Sequence, residues 1–172
     1  SDIKDKFDDE FDAYVAEFKA AYEEEAGESI SKEEAEALFV EEFADAKVKE
    51  LCVVNWDTNV DGEISLAEAA AVTDIGTIFK GKNITSFDEL IYFTGLTSIG
   101  EEAFSYCDSL TSITIGKSVT SISSLAFSSC SNLSQIVVDE NNTVYDSRDN
   151  CNAIIETGTN TLIAGCKNTI IP

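Results

Sequence analysis

Residues 97–119 read TSIGEEAFSYCDSLTSITIGKSV, and residues 120–142, directly after them, read TSISSLAFSSCSNLSQIVVDENN. Nine of these 23 positions are identical: Thr97/Thr120, Ser98/Ser121, Ile99/Ile122, Ala103/Ala126, Phe104/Phe127, Ser105/Ser128, Cys107/Cys130, Leu110/Leu133 and Ile113/Ile136. Ile115 and Val138 make a conservative tenth. Leu110-x-x-Ile113-x-Ile115 predicts a short strand with Ile113 and Ile115 inward and Thr114 outward, because side chains alternate across a strand. Ala103 and Phe104 predict a compact return segment whose core is filled by Phe104. One such unit cannot bury its own apolar face, so neighbours must stack, and two full copies need something to cap each end.

A period of 23 residues falls in the range of leucine-rich repeats and indicates a solenoid. Upstream, Ile84, Phe87, Leu90, Phe93 and Leu96 recur every three residues and predict an irregular lead-in turn. Thr73-Asp74-Ile75-Gly76 echoes Thr97-Ser98-Ile99-Gly100, so whatever precedes it should run straight into the stack as its N-terminal cap. Downstream, Thr143–Asp146, Ala153–Glu156 and Thr161–Ala164 predict strands, the last two joined at Thr157-Gly158-Thr159-Asn160. Ile171 then falls where Ile115 falls, so the C-terminal face should be apolar or originally continued. Cys107 and Cys130 share a repeat position, which makes them buried ladder residues rather than nucleophiles. Cys151 and Cys166 flank the hairpin and could pair, and their spacing is not a metal signature.

The second informative stretch is Asp57–Glu68, DTNVDGEISLAE. It fits the twelve-residue calcium loop of an EF-hand, with oxygen ligands at positions 1, 3, 5, 7, 9 and 12. Asp57, Asn59 and Asp61 would supply side-chain oxygens, Glu63 its backbone carbonyl, Ser65 a hydroxyl or a bridging water, and Glu68 a bidentate carboxylate. Gly62 stands where the chain must turn sharply. The bland alternative is an Asp/Asn/Gly turn leading into a helix.

Around that loop the pattern is helical. Ile3, Phe7, Phe11, Tyr14, Val15, Phe18 and Tyr22 recur at steps of three and four, which predicts one apolar helix face. A second stretch, Ala35, Leu38, Phe39 and Phe43, follows a capping box at Ser31-x-x-Glu34, and a third, Val48, Leu51, Cys52 and Val54, leads into the loop. Ser65-x-x-Glu68 repeats the box before a fourth helix. Aligning the boxes places Ile30 opposite Ile64 and makes Glu23–Glu34 an earlier loop with its glycine displaced by one. It reads as a degenerate hand that pairs structurally and holds calcium weakly or not at all, or as an ordinary capped helix-loop-helix. Trp56 reads as packing next to the loop.

The expected class is therefore α+β. An acidic helical EF-hand pair over residues 1–75, its first loop degenerate, precedes a short leucine-rich-repeat solenoid over 76–172 with a C-terminal β-hairpin segment. Charge divides the same way. The chain carries net −22. Residues 1–75 hold 23 acids and 6 lysines for −17, and residues 76–172 hold 10 acids and 5 bases for −5. Such acidity argues against nucleic acid and anionic lipid partners. No apolar run is long enough to span a membrane. Five cysteines exclude a complete disulfide framework, and the lack of histidine removes Ser-His, Cys-His and His-metal chemistry. Paired carboxylates of the glycosidase kind are plentiful, but none is singled out. A chain that begins with Ser1 and lacks Met reads as a mature or trimmed product.

Ala103-Phe104, Cys107, Leu110, Ile113, Ile115 and Ser118-Val119-Thr120-Ser121-Ile122 carry a further signal. In these residues the repeat resembles the BspA-like leucine-rich-repeat proteins of bacterial surfaces. Tyr145–Ile155, Ala164–Cys166, and the block from Asn55 through the loop to Ser86-Phe87-Asp88-Glu89-Leu90 are similar to that family too. The resemblance covers roughly residues 50–172 and leaves 1–46 outside. Gly116 and Asp139 stand where other leucine-rich repeats place Asn, so no Asn ladder is expected. The resemblance implies a protein secreted or lipid-anchored through a segment upstream of this chain, with adhesion to a host extracellular protein as one role. With the missing catalytic constellation it makes the expected function non-enzymatic binding of a protein or a glycan. Thr114, Gln135 and Val137 would line the binding surface, with Ca2+ in a structural role. The alternative is a dockerin-like module that binds a receptor through its EF-hand helices. A calcium sensor is a poorer fit, since such proteins expose Met-rich grooves.

Overall fold

The computed structural model describes residues 2–37 and 43–171. Helix α1 runs over Asp2–Ala26, α2 over Lys32–Ala37, α3 over Ala46–Trp56 and α4 over Leu66–Ala71. Gly27 ends α1 in the left-handed conformation (φ +71°), its N–H bonded to the Glu23 carbonyl at 2.9 Å. This is the geometry that lets glycine close a helix. Val15 is buried and Phe18 packs on the core, as the periodicity predicts. Leu38 and Phe39 lie outside the described residues, as do the side chains of Ile3, Phe7, Phe11 and Tyr14. On α3, Val48 and Cys52 face inward, whereas Val54 is 76% exposed and does not belong to the apolar face.

The repeat forms three successive turns of chain whose strands pair in parallel. β1 (Ser86–Phe87), β3 (Ser112–Ile115) and β5 (Gln135–Val138) make one row, and β2 (Ser98–Ile99) and β4 (Ser121–Ile122) make a second. The register restates the sequence period, with Ile113 opposite Ile136, Ile115 opposite Val138 and Ile99 opposite Ile122. The lead-in turn is longer, placing Phe87 opposite Ile113. The extra residues form a turn of 3-10 helix at Asp88–Tyr92. Inward positions alternate with outward ones along β3 and β5 as expected.

A stack of phenylalanines runs through the turns. Phe79 lies on Phe104 at 5.5 Å, and Phe104 on Phe127 at 5.4 Å with the rings nearly parallel. Fully burying one such ring contributes about 1.5–3 kcal/mol. Beside the stack, the Cys107 thiol donates to the Phe79 carbonyl at 3.0 Å and the Cys130 thiol to the Phe104 carbonyl at 3.1 Å. Burial pushes the Cys107 thiol up to about 12 and raises Cys130 as well, so both stay protonated donors. All five cysteines are free, and Cys166 turns its thiol to the Asn152 carbonyl instead of to Cys151.

β6 (Tyr145–Asp146), β7 (Ala153–Glu156) and β8 (Thr161–Gly165) form an antiparallel sheet that closes the far end. The Tyr145 hydroxyl accepts from the Ile122 N–H at 3.0 Å, ending the β2–β4 row where a further strand would pair. Asn142 donates to the Gly116 and Val119 carbonyls and accepts from the Val144 and Tyr145 N–H groups, which saturates its amide. One apolar cluster runs continuously from Val48 on α3 to Ile154 on β7. At the far end Leu162 of β8, Ile170 and Ile171 are exposed apolar side chains, in line with the apolar C-terminal face expected.

Candidate functional site

Two regions bear on function: the Asp57–Glu68 loop, and the outward face of the parallel strands. The loop is held between α3 and α4. Trp56, just before it, packs on Phe79 and Phe93 of the lead-in turn, with ring centroids 6.2 and 5.6 Å apart. After the loop, α4 lies so close to Gly95 that a Cβ there would sit 2.0 Å from the Ala70 carbonyl oxygen. Both flanks of the loop are thereby fixed to the first turn of the stack.

Within the loop the carboxylates organise the backbone. Asp57 accepts from the Val60 N–H at 2.7 Å through one oxygen and from the Gly62 N–H at 2.8 Å through the other. Asn59 accepts from the Asp61 N–H at 3.0 Å and donates to the Asp61 carboxylate at 2.9 Å. Asp61 in turn accepts from the Glu63 N–H at 2.8 Å. Gly62 takes the left-handed turn expected of it, at φ +87°. The Glu63 side chain is tied to Lys49 of α3 at 2.6 Å. Asp57, Asn59 and Asp61 are thus brought together.

Glu68 closes back on the loop, its carboxylate also reaching the Asn59 N–H at 3.3 Å. One oxygen accepts from the Thr58 N–H and hydroxyl at 2.8 Å each, and the other from the Ser65 N–H and hydroxyl at 2.9 Å each. The Ser65 hydroxyl accepts from the Glu68 N–H, completing the capping box that the sequence predicts. Burial disfavours the Glu68 charge, but these bonds outweigh it and hold the carboxyl down at about 2. Among the described residues no three carboxylate, thiol or imidazole groups converge closely enough to hold a metal ion. The donor set, all oxygen, is right for a hard divalent cation. The loop as it stands is closed on its own N–H groups.

The earlier segment Glu23–Glu34 has a different form. α1 continues through Ala26, and the Glu23 carboxylate folds onto the Ile30 N–H at 2.9 Å and the Ser29 hydroxyl at 3.1 Å. The second capping box is present, with the Ser31 N–H donating to Glu34 at 2.7 Å and the Glu34 N–H to the Ser31 hydroxyl at 3.1 Å. Among the described residues no strand pairing links Ile30 to Ile64.

On the strand face, Thr114, Gln135 and Val137 point outward with Ser86 and Ser112. Asp88 accepts from the Ser112 hydroxyl at 3.1 Å and the Thr114 hydroxyl at 3.0 Å, which makes this face hydroxyl-rich around one carboxylate. Sequence reading missed the roles of Asp88, Thr58 and Lys49, which no motif pattern specifies. It also missed Asp45, whose place before Ala46 was a readable helix N-cap. No helix among the described residues is long and apolar enough to cross a membrane.

Comparison with known proteins gives one family. The model of the BspA type leucine-rich-repeat region, described as six copies, matches residues 72–159, just over half of the chain. No curated protein and no solved structure matches it. The matched span takes in the lead-in turn, the parallel rows, the phenylalanine stack and most of the closing sheet. On that span, the chain belongs to the BspA-type leucine-rich-repeat family.

Proposed function

We propose that this chain is a non-enzymatic interaction scaffold of the extracellular space or the bacterial cell surface, a short leucine-rich-repeat solenoid that binds a protein or glycan on its strand face. The observation that carries this reading is the in-register parallel row β1–β3–β5, which presents Thr114, Gln135 and Val137 on a rigid surface within a BspA-type region. Rigid strand surfaces of stacked repeats suit partner binding. A binding screen against extracellular matrix proteins and glycans tests it. The expected result is a ligand at micromolar concentration, and a screen with none at that level contradicts the reading.

In this reading residues 1–75 are an EF-hand-like module, and Asp57, Asn59, Asp61, Glu63, Ser65 and Glu68 take structural Ca2+. Support comes from the oxygen donor set, the Gly62 turn and the anchoring of both loop flanks to the first repeat turn. A cation would engage Glu68 in exchange for its bonds from Thr58 and Ser65. At a free concentration a hundredfold above the dissociation constant, binding would add about 2.7 kcal/mol of stability.

A further inference from the structure

The side chains that join the helical segment to the repeat stack form a separate device. Three hydrogen bonds cross from residues 43–72 to the repeat among the described residues, and each ends on a carboxylate. Asp45 accepts from the Thr85 N–H at 2.5 Å and from the Thr85 hydroxyl at 2.8 Å. Glu89 returns the exchange by accepting from the Ala44 N–H at 2.7 Å. Adjacent residues on one side, 44 and 45, are thus bonded reciprocally to two residues on the other, 85 and 89. Both acids are only 8% exposed. Asp45 is also the N-cap of α3, taking the Lys47 and Val48 N–H groups at 2.7 and 3.2 Å. The second oxygen of Glu89 is buried with no hydrogen-bond partner.

We infer that Asp45 is the acid-sensitive member of a latch it forms with Glu89, which tightens the helical segment on the repeat stack at neutral pH and loosens on acidification while the strand rows stay paired. The polar bonds of the join differ from those of the stack. The ladder among β1, β3 and β5 is backbone to backbone, and its bonds do not titrate. The Asp45 bonds need an accepting carboxylate, and protonation puts a hydrogen where an acceptor stood. Few charges nearby soften this. From α3 the Cys52 thiol faces Glu89, and burial together with the Glu89 charge raises that thiol far above its ordinary range. Lys47 of α3 is paired with Glu50, Glu68 of α4 is turned to Thr58 and Ser65, and Asp88 beside Glu89 faces the strand hydroxyls. Burial works against the Asp45 charge, but the bonds from Thr85, Val48 and Lys47 outweigh it and hold the carboxyl below its usual value. Its contribution is therefore complete above the unfolded value of about 4 and is lost as pH falls through the folded one.

Hydrogen exchange and Trp56 emission of the full chain, followed from pH 7 to pH 2, test this inference. Trp56 sits at the join, against Phe79 and Phe93. Between about pH 4 and pH 2 the amides of residues 46–56 should lose protection severalfold and the emission should shift red. The amides of 112–115 and 135–138 should keep theirs. Asp45→Asn should open the same segment at pH 7, away from any protonation of the Asp57–Glu68 loop. Glu89→Gln should open it less, because the Glu89 carboxylate takes one of these bonds whereas both oxygens of Asp45 are engaged. Loss of all protection in a single transition, an unchanged join at pH 2, or full protection of 46–56 in both variants at pH 7 would each overturn the latch.

Discussion

At φ +62° Val60 holds a left-handed backbone that a β-branched side chain disfavours, while its own side chain is 85% exposed and packs on nothing. Asp57 imposes the conformation by taking the Val60 N–H. Val60→Gly should therefore stabilise the chain by about 1 kcal/mol, read as a higher urea midpoint at unchanged slope. The opposite sign is expected at Phe104, which is fully buried between two stacked rings. Phe104→Ala should cost about 3–5 kcal/mol, and Phe127→Ala less, because Phe127 is 8% exposed and ends the stack. Equal losses at the two positions would show that the stack does not distribute the core in this way. Metal binding is also decided at this scale. Terbium in the Asp57–Glu68 loop should be sensitised by Trp56, and Asp57→Ala and Glu68→Ala should abolish both that emission and any calcium-dependent rise in melting temperature. If both signals survive the two substitutions, the six-residue assignment is wrong.

Among the elements, α4 and the lead-in turn meet backbone to backbone at Gly95, so Gly95→Ala should force them apart. Denaturation of that variant should show a large loss of stability, and a neutral outcome would mean the helical segment does not rest there. The closing sheet makes a smaller claim. Tyr145→Phe leaves the Ile122 N–H without an acceptor at about 1–3 kcal/mol, measurable by chemical denaturation. These elements were unevenly legible in the sequence. β3, β5 and their 23-residue register followed from Leu110-x-x-Ile113-x-Ile115 and its copy, because a repeat states its own pairing. The capping box at Ser65–Glu68 was legible because it is local. Asn142 and Tyr145 were not, since their role is to satisfy groups some 23 residues earlier and no motif marks such a cap. Nor was the orientation of Glu68, which rests on Thr58, a residue the loop pattern leaves unspecified.

Charge and core run in different directions over the whole molecule. The acids gather in residues 1–75, yet the apolar cluster passes from α3 into the repeat without a break. Self-repulsion of the −17 segment should make the chain more stable in 0.5 M than in 0.01 M sodium chloride, a difference that screening predicts and thermal melts can read. The proposed binding face is the outward strand face, with the loop and the helical segment in a supporting role. The most direct test titrates the ligand found by screening against wild type and against a Thr114→Arg, Val137→Arg double variant, with folding checked by circular dichroism. Affinity lost by tenfold or more in a folded variant is the predicted result. Unchanged affinity in that variant, or a ligand that binds the isolated helical residues as tightly as the whole chain, would contradict it.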